Sequence, residues 1–324
     1  MKLSKHKTNA LIALSLFTFV FLAAEFRFDV NIGLLAGPQR VVIAQGFILG
    51  ASVLGLMGYA PLLSLANRAA KPQVVTIAAT AIALAGLTQI QVPSDACTLE
   101  TLGCIAFFAL GLLGAAAHHA FALSFKDDPK LATGAGAAYA SGILIQFVIN
   151  LLDCGGMGEA AVLGIATIGI ALFSTLALQT READEPLHGG PASLSHIPIR
   201  QACWSIALVV ILACLFSTLD SVVTLSNAHG TIAVQTWPRL CLAASGLLAG
   251  CIFDLAERRF MGMVMFGVAV LSTISILAVE AGAHPTIGLI VFYLSSGFFV
   301  TFFTATFTQL APQMRTPAFW AGMG

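Results

Sequence analysis

Gly250-Cys251-Ile252-Phe253-Asp254-Leu255-Ala256-Glu257-Arg258-Arg259 is the stretch on which the reading turns. It packs four charges into ten residues, yet the runs on either side, 231–253 and 260–280, are long and apolar. Charges this dense are rare in the chain, which has 15 Lys plus Arg and 15 Asp plus Glu in 324 residues. A short charged connector between two runs of ~20 apolar residues, each the length of a bilayer's hydrocarbon core, is the mark of a hairpin of membrane-crossing helices.

The same pattern extends in both directions. Apolar runs stand near 9–30, 38–60, 73–92, 102–124, 132–152, 159–179, 201–224, 231–253, 260–280 and 286–308, ten in all. The apolar fraction is 58% and the charged fraction 9%, where soluble domains carry about 25% charged residues. A soluble globule lacks the polar skin to cover so much apolar surface. Without solvent partners in lipid, the backbone must be helical or form a closed barrel, and runs of this length are helices. The expected class is therefore an all-α polytopic membrane protein. A net charge of zero speaks against nucleic acid as a partner of the residues present, because that needs a basic patch.

Between runs six and seven, residues 180–200 hold Arg181, Glu182, Asp184, Glu185, three Pro and two His, and read as a solvated linker. The expected organisation is a six-helix bundle over 1–179, a linker over 180–200, and a second, incomplete bundle over 201–324. With the N-terminus inside, twelve of the fifteen basic residues fall on the inner side; only Arg27, Arg40 and Arg239 fall outside. Basic residues mark the cytoplasmic side, so the linker and the Asp254–Arg259 segment are expected there. The alternative for the N-terminus, a signal peptide made of Lys2, Lys5, Lys7 and the following apolar run, would delete a helix that has a counterpart later in the chain.

That counterpart belongs to an internal repeat. Run 1 ends Phe21-Leu22-Ala23-Ala24-Glu25, and run 7 ends Phe216-Ser217-Thr218-Leu219-Asp220. Run 2 carries Arg40 and Gly46-x-x-x-Gly50; run 8 carries Arg239 and Gly246-x-x-x-Gly250. Pro129 follows run 4 and Pro312 follows run 10. Each match is weak alone, but all come in one order, and parallel repeats of six helices are a transporter plan. The Gly pairs are read chiefly as close-packing sites between helices. By the repeat, Pro317 to Gly324 begins an eleventh helix, so about two helices of twelve are expected to lie beyond this sequence.

The segment 250–259 resembles the cytoplasmic signature of the major facilitator superfamily, Gly-x-x-x-Asp-(Arg/Lys)-x-Gly-Arg-(Arg/Lys). Gly250, Asp254, Arg258 and Arg259 match in register, while Leu255 and Glu257 depart from it. In the first half Leu62 stands where the Asp would be. The resemblance implies a facilitator fold with helices 1, 4, 7 and 10 lining a central cavity. It also implies that Asp254 caps a helix of the other half, near Leu131 to Gly134, and so forms a conformational gate with Gly250, Arg258 and Arg259. The antiporter marks of helices 4 and 5 are absent. The ending Trp320-Ala321-Gly322-Met323-Gly324 and the stretch from Arg239 to Gly250 also resemble the membrane region of actinobacterial LuxR-type regulators.

Polar residues inside apolar runs are costly and therefore informative. Asp220 and Glu25 are repeat-related acids, and Arg40 and Arg239 repeat-related bases, toward the outer ends of their runs. They are candidates for a substrate or proton cavity, against the alternative that they sit among headgroups. Of the pair His118 and His119, helical spacing lets at most one face a cavity squarely; His119 is a candidate, against a packed histidine. Tyr139, Gln146 and Asn150 form a polar stripe on run 5, and Tyr293, Ser296, Thr301 and Thr304 one on run 10. These stripes fit a ligand cavity or a hydrogen-bonded helix interface equally. The seven cysteines read as small packing residues, with a Cys97–Cys154 disulfide conceivable. No metal cluster, nucleophile–base set or phosphate loop is legible, so neither a cofactor nor an enzyme activity is expected. The function expected is transport of a small solute by alternating access, with proton coupling, across the bacterial cytoplasmic membrane; the alternative is a membrane sensor whose DNA-binding domain lies outside this sequence.

Overall fold

The structure is a computed structural model that describes residues 4–69, 73–126, 128–152, 155–184, 199–230, 234, 237–255, 258–281, 285–314 and 316–324. Ten long helices follow one another: α1 (Lys5–Ala36), α2 (Pro38–Ala69), α3 (Gln73–Gln91), α4 (Ala96–Ser124), α5 (Leu131–Leu152), α6 (Gly155–Asp184), α7 (Ile199–Ala228), α8 (Trp237–Leu255), α9 (Arg258–Glu280) and α10 (Pro285–Leu310). A 3-10 turn (Ala311–Gln313) and a five-residue helix, α11 (Pro317–Ala321), complete the described chain. All ten long helices are apolar and long enough to cross a membrane. The chain is an all-α polytopic membrane protein.

Two boundaries differ from the sequence reading. Residues 180–184 continue α6, and 199–200 open α7, so the linker shrinks to 185–198, which lies outside the described residues. The turn between α1 and α2 is tighter than expected: Gly37, at φ 87°, is its sole residue outside helix. Only glycine adopts that left-handed conformation without strain.

Successive helices alternate in direction. The N-terminus of α1, the α4–α5 turn and the α8–α9 junction therefore share one end of the bundle, called here the basic face. α1 is central: Ala10, Ala13, Phe17, Val20, Ala24 and Phe28 recur at three- and four-residue spacing and are all buried. α1 packs against α4, α5 and α6, α2 against α4, and α10 against α8 and α9. The first six helices meet the later ones chiefly where α5 lies along α8. The outer helices turn Ile77, Ile165, Phe266 and Leu277 outward, each more than 60% exposed, an apolar girdle that only lipid satisfies.

The two Gly-x-x-x-Gly pairs part company. In α8, a side chain at Gly250 would strike the carbonyl oxygen of Ala132 at 2.5 Å, and one at Gly246 would strike the ring of Tyr139 at 2.8 Å. That pair lets α8 touch α5. In α2, Gly46 and Gly50 face open space; the close approach of α2 to α4 is made elsewhere, at Gly55 and Gly111.

Candidate functional site: a cavity between the two groups of helices

A cavity of about 560 Å³ lies between α1 and α2 on one side and α7, α8 and α10 on the other. On α1 the positions Phe21, Leu22, Glu25, Phe26 and Asp29 line it, a spacing of three and four that puts them on one helix face. α7 contributes Phe216, Asp220 and Thr224, also one face. Tyr139 reaches in from α5, Arg239 from α8, and Tyr293, Ser296 and Phe299 from α10. The contributing stretches of α1, α2, α7 and α8 lie toward the end opposite the basic face. A second cavity of about 240 Å³ adjoins the first there, sharing Asp29, Thr224 and Asn227 with it.

The charges in the cavity are arranged around one amide. Gln45 Nε2 donates to Glu25 Oε1 at 3.0 Å and to Thr224 Oγ1 at 3.5 Å. The amide of α2 thus links a carboxyl of α1 to a hydroxyl of α7. Glu25, Asp29 and Asp220 act on one another electrostatically, and Arg239 is the countercharge felt by Glu25 and Asp220. Arg239 is only 8% exposed, and among the described residues its Nε finds no hydrogen-bond acceptor. Asp29 Oδ1 is likewise buried without a partner among them. The walls are aromatic: Phe216 stacks on Phe299 at 4.2 Å between ring centres, and Phe299 meets Phe303 at 3.9 Å.

The residues singled out in the sequence divide accordingly. Glu25, Asp220, Arg239, Tyr139 and Tyr293 line the cavity together. Arg40 does not: its Nε and Nη2 grip the carboxylate of Glu100 at 2.6 and 2.7 Å, fastening α2 to α4. Arg27 is held similarly by Glu159 of α6. His119 is on α4, outside the lining, and His118 is buried with Nδ1 2.8 Å from the Gly114 carbonyl oxygen. Gln146 is fully buried on α5 but does not reach the cavity, nor does Asn150 near the end of that helix. α4 contributes no lining residue, so the expectation of helices 1, 4, 7 and 10 holds here for α1, α7 and α10 only. On α10, Thr301 donates to the Gly246 carbonyl at 3.1 Å and Thr304 to that of Gly324 at 3.0 Å, so both serve packing. Asp29 and Gln45 were not singled out. The i, i+4 spacing of Glu25 and Asp29 was the signal for Asp29; nothing in the sequence marked Gln45.

At the basic face α5 and α8 are joined directly. Asp254, in the last turn of α8, accepts hydrogen bonds from the backbone N–H groups of Ala132 (2.9 Å) and Thr133 (2.7 Å) in the first turn of α5. Those N–H groups have no partner within their own helix, and a carboxylate there also meets the positive end of the helix dipole. Gly250, one turn earlier, permits the approach. Asp128, beside the same turn, is paired with Lys7 at 2.5 Å. Burial pushes its carboxyl up, but the Lys7 ammonium and the Lys130 N–H outweigh that and hold it below the usual carboxylate range. Asp127 and the side chains of Arg258 and Arg259 lie outside the described residues. Cys97 is a free thiol, and Cys154 also lies outside them.

Compared with models of protein families, the sequence matches none, and it finds no match among curated proteins.

Proposed function

We propose that this chain is a secondary transporter of the major facilitator type, moving a small solute by alternating access, with its basic face toward the cytoplasm of a bacterial plasma membrane. One observation carries the reading: a cavity lined by charged and aromatic side chains lies between two groups of helices, and those groups touch at the basic face through Asp254 and the start of α5. Such a cavity becomes alternately accessible when one group rocks against the other. The described arrangement then corresponds to the outward-facing state, and the Asp254–α5 contact is the part that must break to reach the inward-facing one. Glu25 and Asp220, acids within membrane spans that line one cavity, are the candidates for proton coupling, because intramembrane carboxyls are costly unless they serve such a role.

Reconstitution into proteoliposomes tests this. A panel of radiolabelled solutes is offered under an imposed pH gradient. Saturable uptake by the protein, reduced in Asp220→Asn, supports transport. Saturable binding without uptake of any solute would overturn it in favour of a membrane sensor.

A further inference from the structure

Resting on the reading of the central cavity as a ligand site, we propose that its occupant is an organic cation with an apolar body. Among the charged side chains lining the cavity are three carboxyls, Glu25, Asp29 and Asp220, against one guanidinium, Arg239. With all ionised the lining carries two net negative charges. Such charge on low-dielectric walls repels anions and attracts cations. The neighbouring cavity strengthens the case. Its lining is apolar or neutral apart from Asp29, which it shares with the main cavity. A molecule arriving from that side therefore meets one carboxyl first and the pair at Glu25 and Asp220 beyond it.

Two features make the cation organic rather than a metal ion. Among the described residues no three His, Cys, Asp or Glu side chains gather closely enough to hold a metal. The rest of the wall is chiefly apolar, and its aromatic side chains include Phe299, which meets both Phe216 and Phe303. Aromatic faces attract cations, by about 2 kcal/mol or more when both are desolvated, and also bury an apolar body. The volume of about 560 Å³ falls in the range of ~300–1,000 Å³ typical of pockets for drug-sized molecules. The buried Asp29 Oδ1 has no hydrogen-bond partner among the described residues, and a positive group in the cavity would supply one.

The experiment compares two ions of one shape and opposite sign. Purified full chain in nanodiscs is titrated with radiolabelled tetraphenylphosphonium and, separately, tetraphenylborate, with empty nanodiscs subtracted. Saturable binding of the phosphonium and none of the borate is expected. Single Glu25→Gln, Asp29→Asn and Asp220→Asn variants, each checked for monodispersity, should weaken phosphonium binding about tenfold; Arg239→Gln should not weaken it. Equal or tighter borate binding, no saturable phosphonium binding, or loss of binding only in Arg239→Gln would each overturn the assignment. The borate comparison uses unmodified protein, so it stands even if a variant misfolds. Failure of transport is read separately: phosphonium binding without counterflow in proteoliposomes removes the transporter and keeps the cation site, whereas uptake of another solute without phosphonium binding removes the cation class and keeps the transporter.

Discussion

The carboxylate of Asp254 accepts a 2.7 Å hydrogen bond from the backbone N–H of Thr133, a residue 121 positions earlier in the chain. With the Ala132 bond beside it, this fastens the end of α8 to the start of α5. A contact between the two groups of helices that uses charge, dipole and otherwise unpaired donors is well suited to be made and broken as a unit.

Asp254→Asn keeps the size of the side chain but removes its charge and one acceptor. The loss of the charge–dipole interaction is about 0.3–1 kcal/mol, or roughly a two- to fivefold shift of population toward a basic-face-open state. Spin labels on α5 and α8 near the basic face, read by distance distributions, measure it. An unchanged distribution would mean that the contact only decorates a junction held by packing.

Gly250→Val attacks the same contact sterically. The new side chain has no room beside the Ala132 carbonyl, so α8 must move off α5 and carry Asp254 out of reach. Overpacking of this kind costs about 1–3 kcal/mol, and the open population should exceed that of Asp254→Asn. Gly50→Val, in the matching position of α2, faces open space and should leave the distances and the thermal stability unchanged.

The two repeat-related arginines should behave differently. Arg239→Gln removes the cavity's countercharge and should alter the pH dependence of uptake or ligand binding. Arg40→Gln breaks the pair with Glu100 at the membrane edge, a partly exposed bond worth about 0–1 kcal/mol, and should leave uptake intact. Equal effects of the two substitutions would show that Arg40 also serves the ligand.

Topology is checked by single-cysteine labelling. In a cysteine-free background, Ser193→Cys should resist a membrane-impermeant maleimide in intact cells and react after permeabilisation. Labelling in intact cells would place the basic face outside.

Acid should loosen the N-terminal end of α1 first. The Asp128 carboxyl is held below its usual range by Lys7 and Lys130. A depressed carboxyl contributes stability that is complete above its unfolded value, about 3.9, and is lost as pH falls through the lower folded value. Hydrogen exchange at residues 5–9 should therefore rise below about pH 4, and Asp128→Asn should abolish that dependence. A dependence that persists in Asp128→Asn would assign it to another group.

What the sequence determined by itself follows from how lipid constrains a chain. Apolar runs of bilayer length must be helices there, because no other partner exists for their backbone groups, so the ten long helices α1 to α10 and their alternating direction were readable run by run. Glu25 and Asp220 were visible for the same reason, since an acid within a span stands out wherever its helix packs. The place of Asp254 against the first turn of α5 was expected only from the resemblance of residues 250–259 to the facilitator signature. Facing was not legible. Arg40 and Arg239 occupy equivalent places in the sequence, yet Glu100 draws one to the edge and leaves the other buried in the cavity. Gly46 and Gly50 repeat Gly246 and Gly250, yet only the second pair meets a neighbouring helix. Gln45, one amide among many, gains its place only because α2 sets it between α1 and α7. Composition and spacing are local and fix each helix; which face a helix turns to its neighbours depends on how all of them pack together, and that only the tertiary structure decided.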